Sequence, residues 1–245
     1  GEIAGHVDFV GILRQAGCTV VTDQEILDGA DSNEAEMVLV GDYTAGLWVK
    51  DNSVENLTRI AQILTSDPCV GLVFSQPNEQ YRDAVAGRVP GTLSEALVFS
   101  ENVRGPDLRI LGRGDNSTGR ILRGGHYSLG CGNHGGLTPA ELHAHLSCAG
   151  MAFTQQTRRH KAPAGHDDLA KTMLTLMGAE ANHSPARVLE EAIQDDVDES
   201  YGVFTMRLSQ GKLSMTIEHA HYAGRRYVLS GEREDGALPA CNTVS

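Results

Sequence analysis

Cations are in short supply in this sequence: 20 Lys+Arg stand against 32 Asp+Glu, a formal net charge of −12 at pH 7. Neutralising a nucleic-acid backbone takes a surplus of Lys and Arg, so the balance argues against binding such a polymer. Long apolar runs are missing as well. No stretch approaches the roughly 20 apolar residues of a membrane span, and residues 1–20 lack a basic start followed by an apolar core. The five cysteines (Cys18, Cys69, Cys131, Cys148, Cys241) are odd in number and show no paired spacing, which argues against a disulfide framework. The glycine-rich stretch Gly112–Gly119 lacks the Gly-Lys-Ser/Thr ending that cradles a nucleotide, so it is not a phosphate loop. What remains is an acidic, soluble globular chain of 245 residues. That length buries roughly three quarters of the unfolded surface without help from a metal or a disulfide.

Apolar spacing outlines the elements. Val7, Val10, Ile12–Leu13 and Ala16 fall near helical spacing and stop at Gly17, and the β-branched Cys18–Thr22 then reads as a strand. Met37–Val40 and Ala45–Val49 read as a hairpin, residues 52–64 as an amphipathic helix and Val70–Phe74 as a strand. We read residues 37–105 as an inserted α+β cap, with 1–36 and 106–200 as parts of an α/β core. From Asn78 to Arg120 the chain is irregular apart from a strand at Leu108–Leu111, and loops of that length inside a compact domain are commonly functional. Thr138, Pro139 and Glu141 form a strong helix start, with the helix expected to run to about Cys148. Asp168 is expected to cap a helix over Leu169–Met177, and a short helix is expected over Pro185–Ile193. Alternating segments at Val203–Leu208, Lys212–His219 and Arg225–Leu229 predict an antiparallel meander over residues 201–245.

Ten histidines are present, and His126, His134, His143 and His145 fall within twenty residues of one another. On a helix His143 and His145, two apart, cannot face one ligand together. His134 differs, because glycines flank it in Gly132–Asn–His–Gly–Gly136 just before the capped helix. They let the backbone fold sharply and present the imidazole to a shared centre. Asp167 and Asp168, adjacent at a helix start, point apart and do not form an acid/base pair.

The segment Gly132–Asn–His–Gly–Gly–Leu–Thr–Pro–Ala–Glu–Leu–His143 resembles the last metal-ligand motif of the alkaline phosphatase superfamily, closest to the type I phosphodiesterase/nucleotide pyrophosphatase group. Ala149–Phe153, His166–Leu174, Leu176–Gly178 and Arg187–Ala192 resemble that family's following segments in order, with Ala186 where a glycine is usual. Ala45–Val49, Asp67–Phe74 and Gly91–Leu93 resemble its inserted cap. The resemblance implies an alkaline phosphatase-like mixed or parallel sheet with flanking helices, the inserted cap and the C-terminal meander. It also implies a site of two divalent metal ions, commonly zinc, and a Ser or Thr nucleophile acting on a phosphoric ester, a phosphodiester or pyrophosphate.

Only His134 has a counterpart among the family's ligands. No Asp-x-x-x-His pair followed by Asp-His-Gly occurs, and Gly1 sits where the glycine of that second motif would be. The resemblance therefore makes the chain the C-terminal portion of such an enzyme, with no catalytic residue of its own. The missing N-terminal half would belong to the same polypeptide or to a companion chain. The compartment, cytoplasmic or periplasmic/extracellular, would follow from that half. Arg113, Asn116, Arg123 and His126 are candidate contacts for the phosphate-ester small molecule. Two other readings stand beside it: a non-catalytic binding relative that keeps only the scaffold, and a single zinc held by Cys131 and His134 with His126 or His143.

Overall fold

The computed structural model describes residues 2–41, 44–80, 84–124, 134–154, 158–179, 185–236 and 238–239. The chain is a mixed α/β fold. It opens with strand β1 (Glu2–Val7), followed by helix α1 (Phe9–Gln15), strand β2 (Val20–Thr22) and a short helix α2 (Asp23–Leu27). The hairpin strands β3 (Met37–Val40) and β4 (Thr44–Val49) lead into helix α3 (Val54–Ser66) and strand β5 (Val70–Ser75). Then come β6 (Leu93–Ser94), a 3-10 turn at Glu95–Val98, β7 (Leu108–Gly112), β8 (Gly114–Asp115) and β9 (Arg120–Gly124). Helices α4 (Pro139–Leu142), α5 (His166–Leu176) and α6 (Glu190–Ile193) precede the meander strands β10 (Gly202–Gln210), β11 (Leu213–Tyr222) and β12 (Arg225–Arg233).

The central sheet has the order β2-β3-β4-β7-β5-β6. Its β2–β3 and β5–β6 pairs are parallel and the remaining pairs antiparallel. The sheet runs unbroken through strands taken from residues 1–36, 37–105 and 106–112. One face is covered by α1 and α3. Leu57, Ile60, Ala61 and Leu64, at spacings of three and four, pack with Phe9 and Leu13 onto Met37, Leu39, Leu47 and Ile110. Each such side chain contributes about 2 kcal/mol, more than the roughly 1 kcal/mol of the Ser53 cap, so packing rather than capping holds α3 in place. On the other face Leu72, Phe74, Leu93, Leu97 and Leu111 meet Met215 and Ile217 of β11. Strand β5 serves both layers because successive side chains point to opposite faces, Val73 to one and Leu72 and Phe74 to the other. Its register shift against β7 between Val70 and Val73 brings Val70 to the same face as Val73.

A second, smaller sheet pairs β1 with β9 in parallel and β9 with β8 antiparallel. The meander is a third sheet, β10-β11-β12, all antiparallel as its alternation predicts.

Several boundaries differ from expectation. Residues 6 and 7 lie in β1 rather than at the start of the first helix, because the Asp8 carboxylate accepts the Gly11 N–H and begins the helix at Phe9. The helix stops at Gly17 (φ 84°), as read. The helix after Thr138 is one turn, ending at Leu142 instead of Cys148, so His143 and His145 are exposed on chain without regular secondary structure. Helix α5 begins at His166 with Gly165 as its cap. Asp168 is its third residue, accepting the Gly165 N–H from inside the first turn. The expected helix at 185–193 is reduced to Glu190–Ile193, and α2 was not foreseen although Thr22 and Glu25 form a capping box. Cys69 is disulfide-bonded to a partner outside the described residues, where the spacing had argued against a disulfide framework, while Cys18 and Cys148 are free.

Candidate functional site

Parallel strands in α/β sheets offer ligands a crevice at their carboxyl ends, and β1–β9 is the pair that leads to the histidine-rich segment. His6 lies opposite Arg123 and Val7 opposite Gly124. Strand β7 is pressed against this end: a Cβ at Gly112 would overlap the Leu122 carbonyl oxygen and come within 3.4 Å of Val7 Cγ1. Leu111, next to Gly112, pairs with Thr44 at the start of β4. The Thr44 hydroxyl in turn donates to the Gly135 carbonyl at 2.8 Å. A chain of contacts thus runs from the ends of β1 and β9 to the backbone beside His134.

His134 is exposed, and the chain after it is fixed at several points. Gly135 adopts a φ of 104°, open to glycine at little cost, and its backbone passes close to Thr44. The Leu137 carbonyl accepts from Gly231 N at 2.7 Å, tying the loop to β12. At Thr138 the backbone N–H and the hydroxyl both donate to Glu141 Oε2, at 3.2 and 2.7 Å. This is the capping arrangement that the sequence predicts. Burial pushes the Glu141 carboxyl above its ordinary value. An exposed imidazole on an anchored loop suits a metal ligand. Among the described residues, however, no group of three His, Cys, Asp or Glu side chains converges to hold an ion. His126 and Cys131 lie outside the described residues, and the exposed His145 contacts the Ser147 hydroxyl.

The other candidate residues occupy different surroundings. Arg113 is only 3% exposed and its guanidinium is held by three groups. It donates to the carbonyls of Pro68 at 3.1 Å and Gly236 at 2.6 Å, and pairs with Asp235 at 2.9 Å. It braces the β5 approach against the C-terminal segment, together with Arg233, which donates to the Asp67 and Val70 carbonyls. Burial of Arg113 also keeps the Arg-Gly-Asp triplet at 113–115 from being presented to a partner. Asn116 donates its backbone N–H to Glu232 at 3.1 Å, and its buried Oδ1 has no hydrogen-bond partner. Burial raises the Glu232 carboxyl. Asp115 is held down at about 2 by the hydroxyls and N–H groups of Ser117 and Thr118. Arg123 is half-buried on β9 facing His6 across the pair. A cavity of about 10 Å³, room for one water, separates Thr138 and Glu141 from Glu232 and Gly112.

No family model, curated protein or solved structure matches this chain.

The strongest polar assembly was missed in the sequence. Asp168, wholly buried, accepts from Gly165 N, Arg187 N (2.9 Å) and the Tyr227 hydroxyl (2.9 Å), and pairs with Arg225. Arg187 grips Glu191 with two 2.7 Å bonds, donates to Tyr227 and lies over the Tyr222 ring. Burial, reinforced by the bond to Asp168, pushes the Tyr227 phenol to about 12. Three segments distant in sequence meet there, which local spacing does not reveal. The only signal was a doubled Asp at a helix start, which also has the ordinary reading of a cap.

Proposed function

We propose that the chain is the C-terminal portion of a metal-dependent phosphoric-ester hydrolase, acting on a phosphodiester or pyrophosphate. In this reading His134 supplies one metal ligand, and the nucleophile and remaining ligands come from a segment outside the chain. The observation that carries the proposal is the setting of His134. An exposed imidazole precedes a capped turn, on a loop hydrogen-bonded to β4 and β12 and linked by contacts to the carboxyl ends of β1 and β9. The Gly132–His143 motif supports the same reading. A catalytic zinc takes about three protein ligands and keeps a position for water or substrate, so one histidine fits as a member of a shared shell and not as a site by itself. The ions, when bound, would clamp the attacking and leaving oxygens of an in-line displacement. The protein's part here is to hold the imidazole still, through the Thr44, Gly231 and Glu141 bonds.

Zinc content and hydrolysis of p-nitrophenyl phosphate esters and diesters test this. Residues 1–245 alone, with excess zinc, are expected to show no hydrolysis above background. Joined to the upstream half, they are expected to give zinc-dependent turnover that falls at least a hundredfold in His134→Ala. Turnover in the isolated chain that disappears in His134→Ala would overturn the shared-site reading. An active assembly indifferent to His134→Ala would remove the histidine from the site.

A further inference from the structure

The meander holds the 3-10 turn Glu95–Val98 with two side chains aimed at consecutive carbonyls. His219 of β11 reaches the Leu97 carbonyl through Nε2 at 2.7 Å, and Arg226 of β12 donates from Nη2 to the Ala96 carbonyl at 3.0 Å. Arg226 also lies over the Phe99 ring, 5.0 Å from its centroid, where the turn ends in a left-handed residue. Because Leu97 O can only accept, Nε2 of His219 must carry the proton, and Nδ1 is the bare nitrogen. Nδ1 is buried and has no hydrogen-bond partner. The ring itself is fully buried, opposite Phe204 on β10, with which it stacks at 5.4 Å, and opposite Val228 on β12.

A second proton on His219 would therefore meet nothing able to receive it. The neighbours offer no compensation. From β12 the facing charge is the Arg226 guanidinium. From β11 it is His221, which edges onto the same Phe204 ring and adds a further positive charge when protonated. Phe204 of β10 is apolar. The carboxylate on the 3-10 turn, Glu95, is bound by Gln76 at 2.8 Å and paired with Arg109 at 3.4 Å.

We infer that His219 and Arg226 form an acid-released latch between the meander and the 3-10 turn Glu95–Val98, closed while the imidazole is neutral and opened when it takes a second proton. Burial and the adjacent cation lower the proton affinity of His219 in the closed state. The unfolded or released imidazole protonates near 6.5. A group with a depressed folded affinity gives stability that is present above that value and lost as pH falls below it. Opening would free Leu97 from Met215 and Ile217 of β11 while leaving the α1–α3 face of the sheet intact. The latch does not depend on the hydrolase reading.

Hydrogen exchange on the full chain at pH 7.5 and 5.5, expressed as protection factors, tests the latch alongside an NMR titration of the His219 ring. Protection in β11, β12 and residues 95–98 is expected to fall about tenfold on acidification, with α3 unchanged. His219→Gln keeps a neutral donor for Leu97 O and cannot titrate, so its protection in those segments should stay flat. Arg226→Gln keeps a donor for Ala96 O and removes the cation, so His219 should then titrate at a higher pH. If His219 titrates at its ordinary value with the meander still protected, the latch does not exist. A His219→Gln protein that loses protection with acid as the wild type does would refute it equally.

Discussion

Asp168 is the residue on which the C-terminal third depends most. Its carboxylate satisfies Arg187 N, the Tyr227 hydroxyl and Arg225 at once. In Asp168→Ala those donors stay buried and lose their acceptor, at a cost of about 3 kcal/mol. Urea unfolding at pH 7 should show that loss as a lower midpoint at nearly constant slope. Asp115 acts in a different range. It is half-buried, and its bonds to Ser117 and Thr118 hold it at about 2. A depressed carboxylate contributes stability above its unfolded value and loses it as pH falls through the folded one. Asp115→Asn should therefore lower the thermal midpoint at pH 7 and flatten the acid limb of the profile between pH 4 and pH 2, so that the two proteins converge at low pH.

At the scale of elements, two glycines give expectations of different size and cause for the same change. Gly112 has β9 against it, so Gly112→Ala must push β7 away from the Leu122 carbonyl, costing about 3 kcal/mol. Gly17 has nothing within 4 Å, and only its φ of 84° resists a side chain, so Gly17→Ala should cost about 1 kcal/mol. Comparing the two denaturation midpoints separates crowding from backbone strain. The same distinction explains what the sequence made legible. The hairpin at 37–49, helix α3, strand β5 and the meander were readable because each has a clear period and one or two buried faces. The Thr138–Glu141 start was readable from its capping chemistry, but the helix length after it was not. His143 and His145 carry the chain away from any apolar face, so no packing extends the turn. Among the candidate site residues, the placing of His134 on a glycine loop before a helical turn was legible, whereas the burial of Arg113 was not. An arginine between glycines looks exposed until the carbonyls of Pro68 and Gly236 arrive from distant parts of the chain.

For the whole molecule, the cysteines report on chemistry that composition alone misjudged. Alkylation of the native protein should label Cys148 rapidly and Cys18 only on unfolding, since the first is exposed and the second buried. Peptide mapping without reductant should recover Cys69 in a crosslinked pair. A Cys69 that alkylates in the native, unreduced protein would contradict the bond. Among the described residues no helix is long and apolar enough to cross a membrane. The protein is built in layers, and β5 is the strand that supplies side chains to both. Its register shift acts as a change of phase: before it, Val70 counts with the helices, and after it Leu72 and Phe74 count with the meander. Deleting Gly71 would remove the extra residue and restore strict alternation, with Val70 and Val73 still on the helix side and Leu72 and Phe74 still on the meander side. A one-residue deletion at Gly71 should thus be tolerated better by both layers than one at Val73, which would force Leu72 or Phe74 onto the wrong face.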